Sequence, residues 1–314
     1  MMTVHAGVAA VLAISTTLAS APSAAQQAAA SAAQTHQIFL AAFKDGEGRT
    51  IRLAFLGIQV HGFTVDKPRN ITNHAGDDDP CFLPDSSGVL FTSNRDGRQH
   101  DIYRYDIATK AVRRVTNTPE DEHSPTMTPD GRTFSAVRGA EQQLWRLNLD
   151  GSDAGSAAMR VGPIRNYVWV SPAKIAQWVP DGRSAGTLAI VDLESSASEV
   201  MASNVGPSLY LRPLTGAVTF VSSPRTGNAR IKVLDPATRK VTTYAPTVDG
   251  GEALAWTPSG RLLMASGAKL FVRENETDRW IENADLRKAG LTAITRITVS
   301  PDGKWIAIVG TVGK

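Results

Sequence analysis

The sequence predicts an all-β chain folded as a six-bladed β-propeller, with the last blade closed by strands from both termini. Three observations predict it. A turn residue recurs at Gly88, Gly131, Lys174, Gly216, Gly260 and Gly303, at intervals of 43, 43, 42, 44 and 43 residues. A proline opens each turn, at Pro84, Pro129, Pro172, Pro213, Pro258 and Pro301. Short apolar runs fill the space between turns, four to a repeat. A period of about 40–45 residues built from such runs marks propeller blades, one four-stranded sheet per repeat.

The first 30 residues contain no Lys, Arg, Asp or Glu, and Gly7 to Ala19 is a short apolar run. Small residues follow at Ser23, Ala24 and Ala25, so residues 1–25 read as a cleaved secretory signal. The run is shorter than the ~20 apolar residues a membrane span requires. Residues 26–36 are rich in Ala, Gln and Ser without apolar periodicity and read as a flexible lead-in. Residues 37–314 form the propeller, long enough for one large β domain with its own core. Cys81 is the only cysteine, so the fold cannot rest on an internal disulfide. The formal charge of +3 is spread along the chain, which excludes a nucleic-acid stripe.

Within each repeat the strands align on the turn proline. The run before it is the innermost strand: 81–83, 126–128, 169–171, 210–212, 255–257 and 298–300. A β-rich run follows the turn, as in Val89 to Thr92 or Trp305 to Val309. A third begins about a dozen residues later, as at Ile102-Tyr103, Leu144-Trp145 and Leu270-Phe271. The fourth is more polar, as in Ala111 to Thr116, which suits an exposed outer edge. Seven Asp-Gly pairs punctuate the runs, and this dipeptide readily adopts the positive φ of tight hairpins.

The sixth repeat stops after its second strand. Its missing third strand matches Ile38 to Phe43, and its fourth matches Arg69 to Asn73. Residues 52–66 then read as an insertion in that blade. A short helical turn is expected over 284–289, stopped by Gly290.

The run PDSSGVLFTSNRDGRQHDIYRYDIATKAVRRVTNT (84–118) resembles the blade repeat of TolB-type propellers, as do MTPDGRTFSAVRG (127–139) and VSPDGKWIAIVG (299–310). The resemblance extends over residues 37–314. It implies a six-bladed propeller of the bacterial envelope, in a class that mostly binds proteins. It covers the propeller alone, so a lone propeller is expected, without the N-terminal domain of TolB.

Where, then, would chemistry sit? Counting five and six residues back from each turn proline gives Asp78/Asp79, His123/Ser124, Asn166/Tyr167, Pro207/Ser208, Glu252/Ala253 and Thr295/Arg296. These positions ring one mouth of the central channel. Asp78, Asp79, His123, Tyr167, Glu252 and Arg296 are the candidate contacts, expected to be exposed and to converge on one cavity. His123 and Arg296 should lie on the blades either side of Asp79.

The run Asp77-Asp78-Asp79 invites calcium, yet neighbours on a strand point to opposite faces, so three cannot share one ion. The histidines show no transition-metal spacing. Gly182-Arg183-Ser184-Ala185-Gly186 fits the nucleophile-elbow pattern, but a strand follows it where the elbow needs a helix. Trp145 and Trp305 fall where large side chains fill the space between blades. Trp169 and Trp256 lie on inner strands, where sugar stacking is the alternative to packing.

The reading is an exported, non-catalytic propeller, periplasmic or secreted, that binds an envelope protein, peptide or glycan at its channel mouth. The alternative is a hydrolase- or lactonase-like enzyme with an acid/base or metal site on the same rim, using Asp79, His123 and Glu252. No cofactor is expected beyond the calcium the aspartates leave open. Nor is a nucleic-acid partner or a membrane span, and the chain is expected to be a monomer.

Overall fold

The structure is a computed structural model, and it describes residues 36–46, 51–53, 58–60, 62–97, 99–159, 162–182, 185–222, 228–248, 251–276 and 279–313. The signal segment 1–25, the lead-in up to residue 35 and Ser184 lie outside the described residues.

The chain enters with β1 (Gln37–Asp45), a hairpin of β2 (Ile51–Leu53) and β3 (Ile58–Val60), then β4 (Phe63–Val65) and β5 (Arg69–Asn70). The first complete sheet is β6 (Asp78–Phe82), β7 (Gly88–Ser93), β8 (Asp101–Asp106) and β9 (Val112–Arg114). The second is β10 (Glu122–Met127), β11 (Thr133–Arg138), β12 (Gln143–Asn148) and β13 (Asp153–Met159).

A seven-stranded sheet follows: β14 (Asn166–Ser171), β15 (Lys174–Pro180), β16 (Gly186–Asp192), β17 (Ser198–Leu211), β18 (Val218–Ser222), β19 (Arg230–Leu234) and β20 (Val241–Pro246). Its two halves share β17, whose ladder shifts register between Val205 and Leu209. The first half of β17 is therefore the outer strand of one unit and its second half the inner strand of the next. The last two groups are β21 (Ala253–Trp256), β22 (Leu262–Ser266), β23 (Lys269–Arg273) and β24 (Ile281–Asp285), then β25 (Leu291–Val299) with β26 (Trp305–Val312). All pairings are antiparallel, as a meander of hairpins requires.

Closure is direct. β26 pairs with β1 from Gln37↔Gly310 to Ala42↔Trp305, so both ends of the chain build one sheet. β5 continues it at Phe39↔Asn70, and β4 pairs with the far end of β1 at Phe43↔Val65. The expected insertion over 52–66 is thus corrected in part, because its last strand belongs to the closing sheet. Phe43 and Phe63 pack there with ring centroids 5.2 Å apart and planes tilted by 41°. Asn283 exchanges two hydrogen bonds with the Phe63 backbone, which fastens β4 to β24 of the preceding sheet.

The apolar residues of alternate strand positions meet between sheets. One cluster joins Phe82, Phe91 and Tyr103 of the first sheet to Ile38, Leu40 and Val309 of the closing sheet. Others join the first to the second, the second to β14–β16, and so on around to the closing sheet. Each sheet is therefore sandwiched by two neighbours, which is the layered burial that stabilises a propeller. The turns fit in too. Gly131 takes a φ of +67°, and a Cβ there would lie 3.3 Å from Pro84 of the neighbouring turn. The expected helical turn is a 3-10 turn over Leu286–Ala289, with Asp285 accepting from the Arg287 N–H and Gly290 in the left-handed conformation.

Candidate functional site at the channel mouth

The innermost strands β6, β10, β14, β17, β21 and β25 enclose a cavity of about 390 Å³. Asp79, Ser124, Asn166 and Arg296 stand together at its mouth. The wall below carries Cys81, Met127, Trp169, Tyr210, Trp256 and Val299, with Pro80, Pro125, Pro207, Pro213 and Pro301 spaced around it.

Local backbone geometry aims the rim. Asp79 and Ser124 take φ values of 53° and 55°, and each sits in a register shift, between Asp78 and Cys81 and between His123 and Thr126. These are bulges in the inner strands, which re-aim one side chain. Pro80 and Pro125 follow them and have no N–H to leave unpaired where the ladder breaks.

Arg296 ties the rim together. Its Nη2 donates to Asp79 Oδ1 at 2.8 Å and its Nε to Asp78 Oδ1 at 3.3 Å. Asp79 Oδ2 accepts from Ser124 Oγ at 3.1 Å, and Asp78 Oδ2 faces His36 Nδ1 at 3.6 Å. Burial pushes the Asp78 carboxyl up, but Arg296, His36 and the Asp79 N–H outweigh it and hold the group at about 2. Burial likewise opposes the Arg296 charge, and Asp79 with Asp78 outweighs it, raising that group above its ordinary value. Both ions persist across the neutral range. Burial pushes the Cys81 thiol up to about 11, so it stays protonated and unreactive at neutral pH.

His123 belongs to a second layer. Gln142 Nε2 donates to Gly139 O at 2.8 Å, which turns its Oε1 toward His123 Nε2, also at 2.8 Å. The other ring nitrogen meets Ser124 Oγ at 3.0 Å. A serine beside a histidine suggests a nucleophile. However, the Ser124 N–H donates to Thr92 Oγ1 at 3.1 Å, so it is spent as an oxyanion donor.

The sequence expectations divide here. Asp79 and Arg296 line the cavity, and Asp78 reaches it through Arg296. His123 acts only through Ser124, and Glu252 lies half-buried just before β21, outside the cavity wall. His123 and Arg296 lie, as expected, on inner strands of the sheets either side of Asp79, but it is Ser124 rather than His123 that contacts Asp79. Tyr167 lines the wall but is only 6% exposed, which corrects the expectation of an exposed contact. Its hydroxyl bonds Ser135 Oγ at 2.8 Å and donates to Ser124 O at 3.3 Å.

Asp77 is fully buried and pairs with Arg95 at 2.9 Å, away from its two neighbours in sequence. Among the described residues no three His, Cys, Asp or Glu side chains gather around one point fit for a metal. Trp169 and Trp256 are 3% and 6% exposed, and their indole N–H groups donate to Ser135 and Thr219 of the preceding sheet. The elbow motif falls between paired strands, with Pro180 opposite Gly186, although Ser184 itself lies outside the described residues.

Ser124, Asn166 and Tyr210 are cavity residues that the candidate set omits. One signal could have found the first. Pro80 and Pro125 stand four residues before Pro84 and Pro129, so Asp79 and Ser124 occupy the same repeat position.

No protein-family model matches the chain, and no curated protein sequence does. Solved structures do match, at the level of fold. A protein from Agrobacterium tumefaciens described as a TolB superposes with a TM-score of 0.58 at 13% identity, over 89% of this chain and 99% of that one. A chain of the nidogen/laminin complex gives 0.57 at 13% identity, over 83% and 97%. A gluconolactonase from Xanthomonas campestris gives 0.56 at 11% identity, over 86% and 97%. The fold is a TolB-like β-propeller, shared by proteins of different activities.

Proposed function

We propose that this chain is an exported binding propeller that holds a segment of a partner polypeptide at its channel mouth and performs no chemistry there. The observation that carries the reading is the rim itself. Asp78, Asp79, Ser124 and Arg296 are locked to one another at the opening of an apolar-walled cavity. A preorganised polar ring over an apolar pocket is the general form of a ligand site. Two features speak against chemistry at the rim: the Ser124 N–H is already bonded to Thr92, and the Cys81 thiol is neutral.

The wall favours a polypeptide over a glycan, because Trp169 and Trp256, although they line the cavity, are only 3% and 6% exposed and offer little ring surface for a sugar to stack on. Export is supported by the uncharged residues 1–30. Among the described residues no helix is long and apolar enough to cross a membrane.

Blocking the cavity tests the reading. Immobilised protein should capture a partner from envelope extract, and a Thr298→Trp variant that folds normally should capture it poorly. Equal capture by both would place the binding surface elsewhere.

A further inference from the structure

The polar groups that the cavity leaves without a partner select among guests. Among the described residues that line it, Asp79 and Arg296 alone carry charge, and they pair at 2.8 Å, so the lining is neutral. Asp78, just outside, is answered by Arg296 and His36. Arg146 and Arg212 lie 5.6 and 4.9 Å from the Trp169 and Trp256 ring centroids, but neither lines the cavity, and Arg212 faces Glu276 at 3.6 Å. A charged guest would therefore find no unpaired counter-ion on the lining.

Three lining residues keep hydrogen-bonding capacity that no neighbour uses. The Asn166 side chain and the Thr298 hydroxyl make no hydrogen bond among the described residues. The Tyr210 hydroxyl accepts from the Leu254 N–H at 3.1 Å, which leaves its own proton to donate. The Ser124, Thr126 and Tyr167 hydroxyls and the Trp169 and Trp256 indole N–H groups are bonded already. Asn166 stands six residues before its turn proline, at the mouth, whereas Tyr210 and Thr298 stand three before theirs. Three residues span ~10 Å of strand, so the two hydroxyls lie deeper than the amide. The wall beside them is apolar, with Met127, Leu209 and Val299.

Resting on the binding reading above, we propose that the guest is a glutamine side chain of the partner polypeptide. Its hydrocarbon stem lies along the apolar wall. Its terminal amide offers a donor and an acceptor at the deeper level, where Thr298 can serve either and Tyr210 donates to the carbonyl. Asn166 meets the peptide group of the same residue at the mouth. An apolar side chain would strip water from these polar groups and leave them unpaired. Lysine or glutamate would bring a charge that the paired Asp79 and Arg296 do not answer.

Four capped tripeptides, acetyl-Gly-X-Gly-amide with X as glutamine, norleucine, lysine or glutamate, test this by titration on the full chain. Binding is read from tryptophan fluorescence, since Trp169 and Trp256 line the cavity. All four share the same backbone, and glutamine and glutamate differ in charge at nearly equal shape. The glutamine peptide should bind about tenfold tighter than each of the others. Its advantage over norleucine should be the same at about 500 mM salt as at low salt, because no ion pair forms.

Thr298→Val keeps a β-branched shape suited to the strand and removes only the hydroxyl. It should bring glutamine close to the norleucine level and leave norleucine unchanged. Equal weakening of both peptides would show that Thr298 merely shapes the wall, and would overturn the assignment. If Thr298→Val does not fold, the ranking of the four peptides on the parent protein decides. Norleucine, lysine or glutamate binding as well as glutamine would overturn the glutamine assignment and leave the binding reading standing. Binding of none would overturn it too, and partner capture by the parent and by Thr298→Trp then decides the binding reading separately.

Discussion

Arg296, on the innermost strand of the closing sheet, donates to Asp79 of the first sheet at 2.8 Å. The bond spans the joint where the two ends of the chain are brought together, so one ion pair both shapes the mouth and bridges the ring closure. It stays partly open to water. Its contribution to stability should be small, about 0–1 kcal/mol. Its larger effect is to hold the charge pattern of the mouth in place.

Acid should weaken the rim through Asp78. The folded carboxyl sits at about 2 against an ordinary 3.8, so the folded state binds this proton less tightly than the unfolded chain. The resulting stability is complete above the ordinary value and is lost as pH falls from there through about 2. Asp78→Asn should therefore be less stable than the parent at neutral pH, and the gap should close in acid. Urea unfolding of both proteins across this range measures it, and a constant gap would contradict the assignment.

Tyr167→Phe should lower stability by about 1–2 kcal/mol, because Ser135 and the Ser124 carbonyl lose a buried partner. Binding at the mouth should change little, since the hydroxyl is spent between sheets. Melting and peptide titration on this one variant give both readings.

Glu122 and Arg138 form a buried pair at 2.7 Å, with side-chain exposures of 0% and 4%, and Arg138 lies 4.1 Å above the Trp145 ring. Removing Glu122 leaves the buried Arg138 only the half-exposed Asp153, at 3.2 Å. Glu122→Ala should cost about 3–5 kcal/mol, whereas replacing the pair by Leu and Met together should cost clearly less. A double-mutant cycle by chemical denaturation decides.

Deleting residues 294–314 removes β26 and most of β25, leaving β1 paired only with the short β4 and β5. The apolar faces of both neighbouring sheets would be exposed, a loss larger than the ~5–15 kcal/mol stability of a typical domain. The product should aggregate or bind hydrophobic dyes. A soluble product with a sharp melting transition would show that closure is dispensable.

Export should remove residues 1–25 and leave Gln26 at the N-terminus. Intact-mass measurement of protein from the envelope fraction would show this directly, and retention of Met1 would oppose it.

The sequence by itself determined the repeat and most of the strands. Turn prolines and Asp-Gly hairpins are local signals, and an alternating apolar run needs no distant partner to be recognised. The closing sheet was legible for the same reason, since Ile38 to Phe43 repeats the third-strand pattern and pairs with β26 as its spacing implies.

The tertiary structure decided which residues face the channel. Counting from the turn proline assumes that strand alternation is unbroken, and a bulge breaks it. In β6 and β10 the extra residue lies at the mouth, before Cys81 and Thr126, and it aims Asp79 and Ser124 toward each other. In β14 the shift comes later, between Trp169 and Ser171. The same count there lands on Tyr167, which turns against the neighbouring sheet, while Asn166 reaches the mouth. A single inserted residue reverses every side chain beyond it, and its position depends on how the neighbouring strand pairs. That pairing exists only once the sheets have assembled.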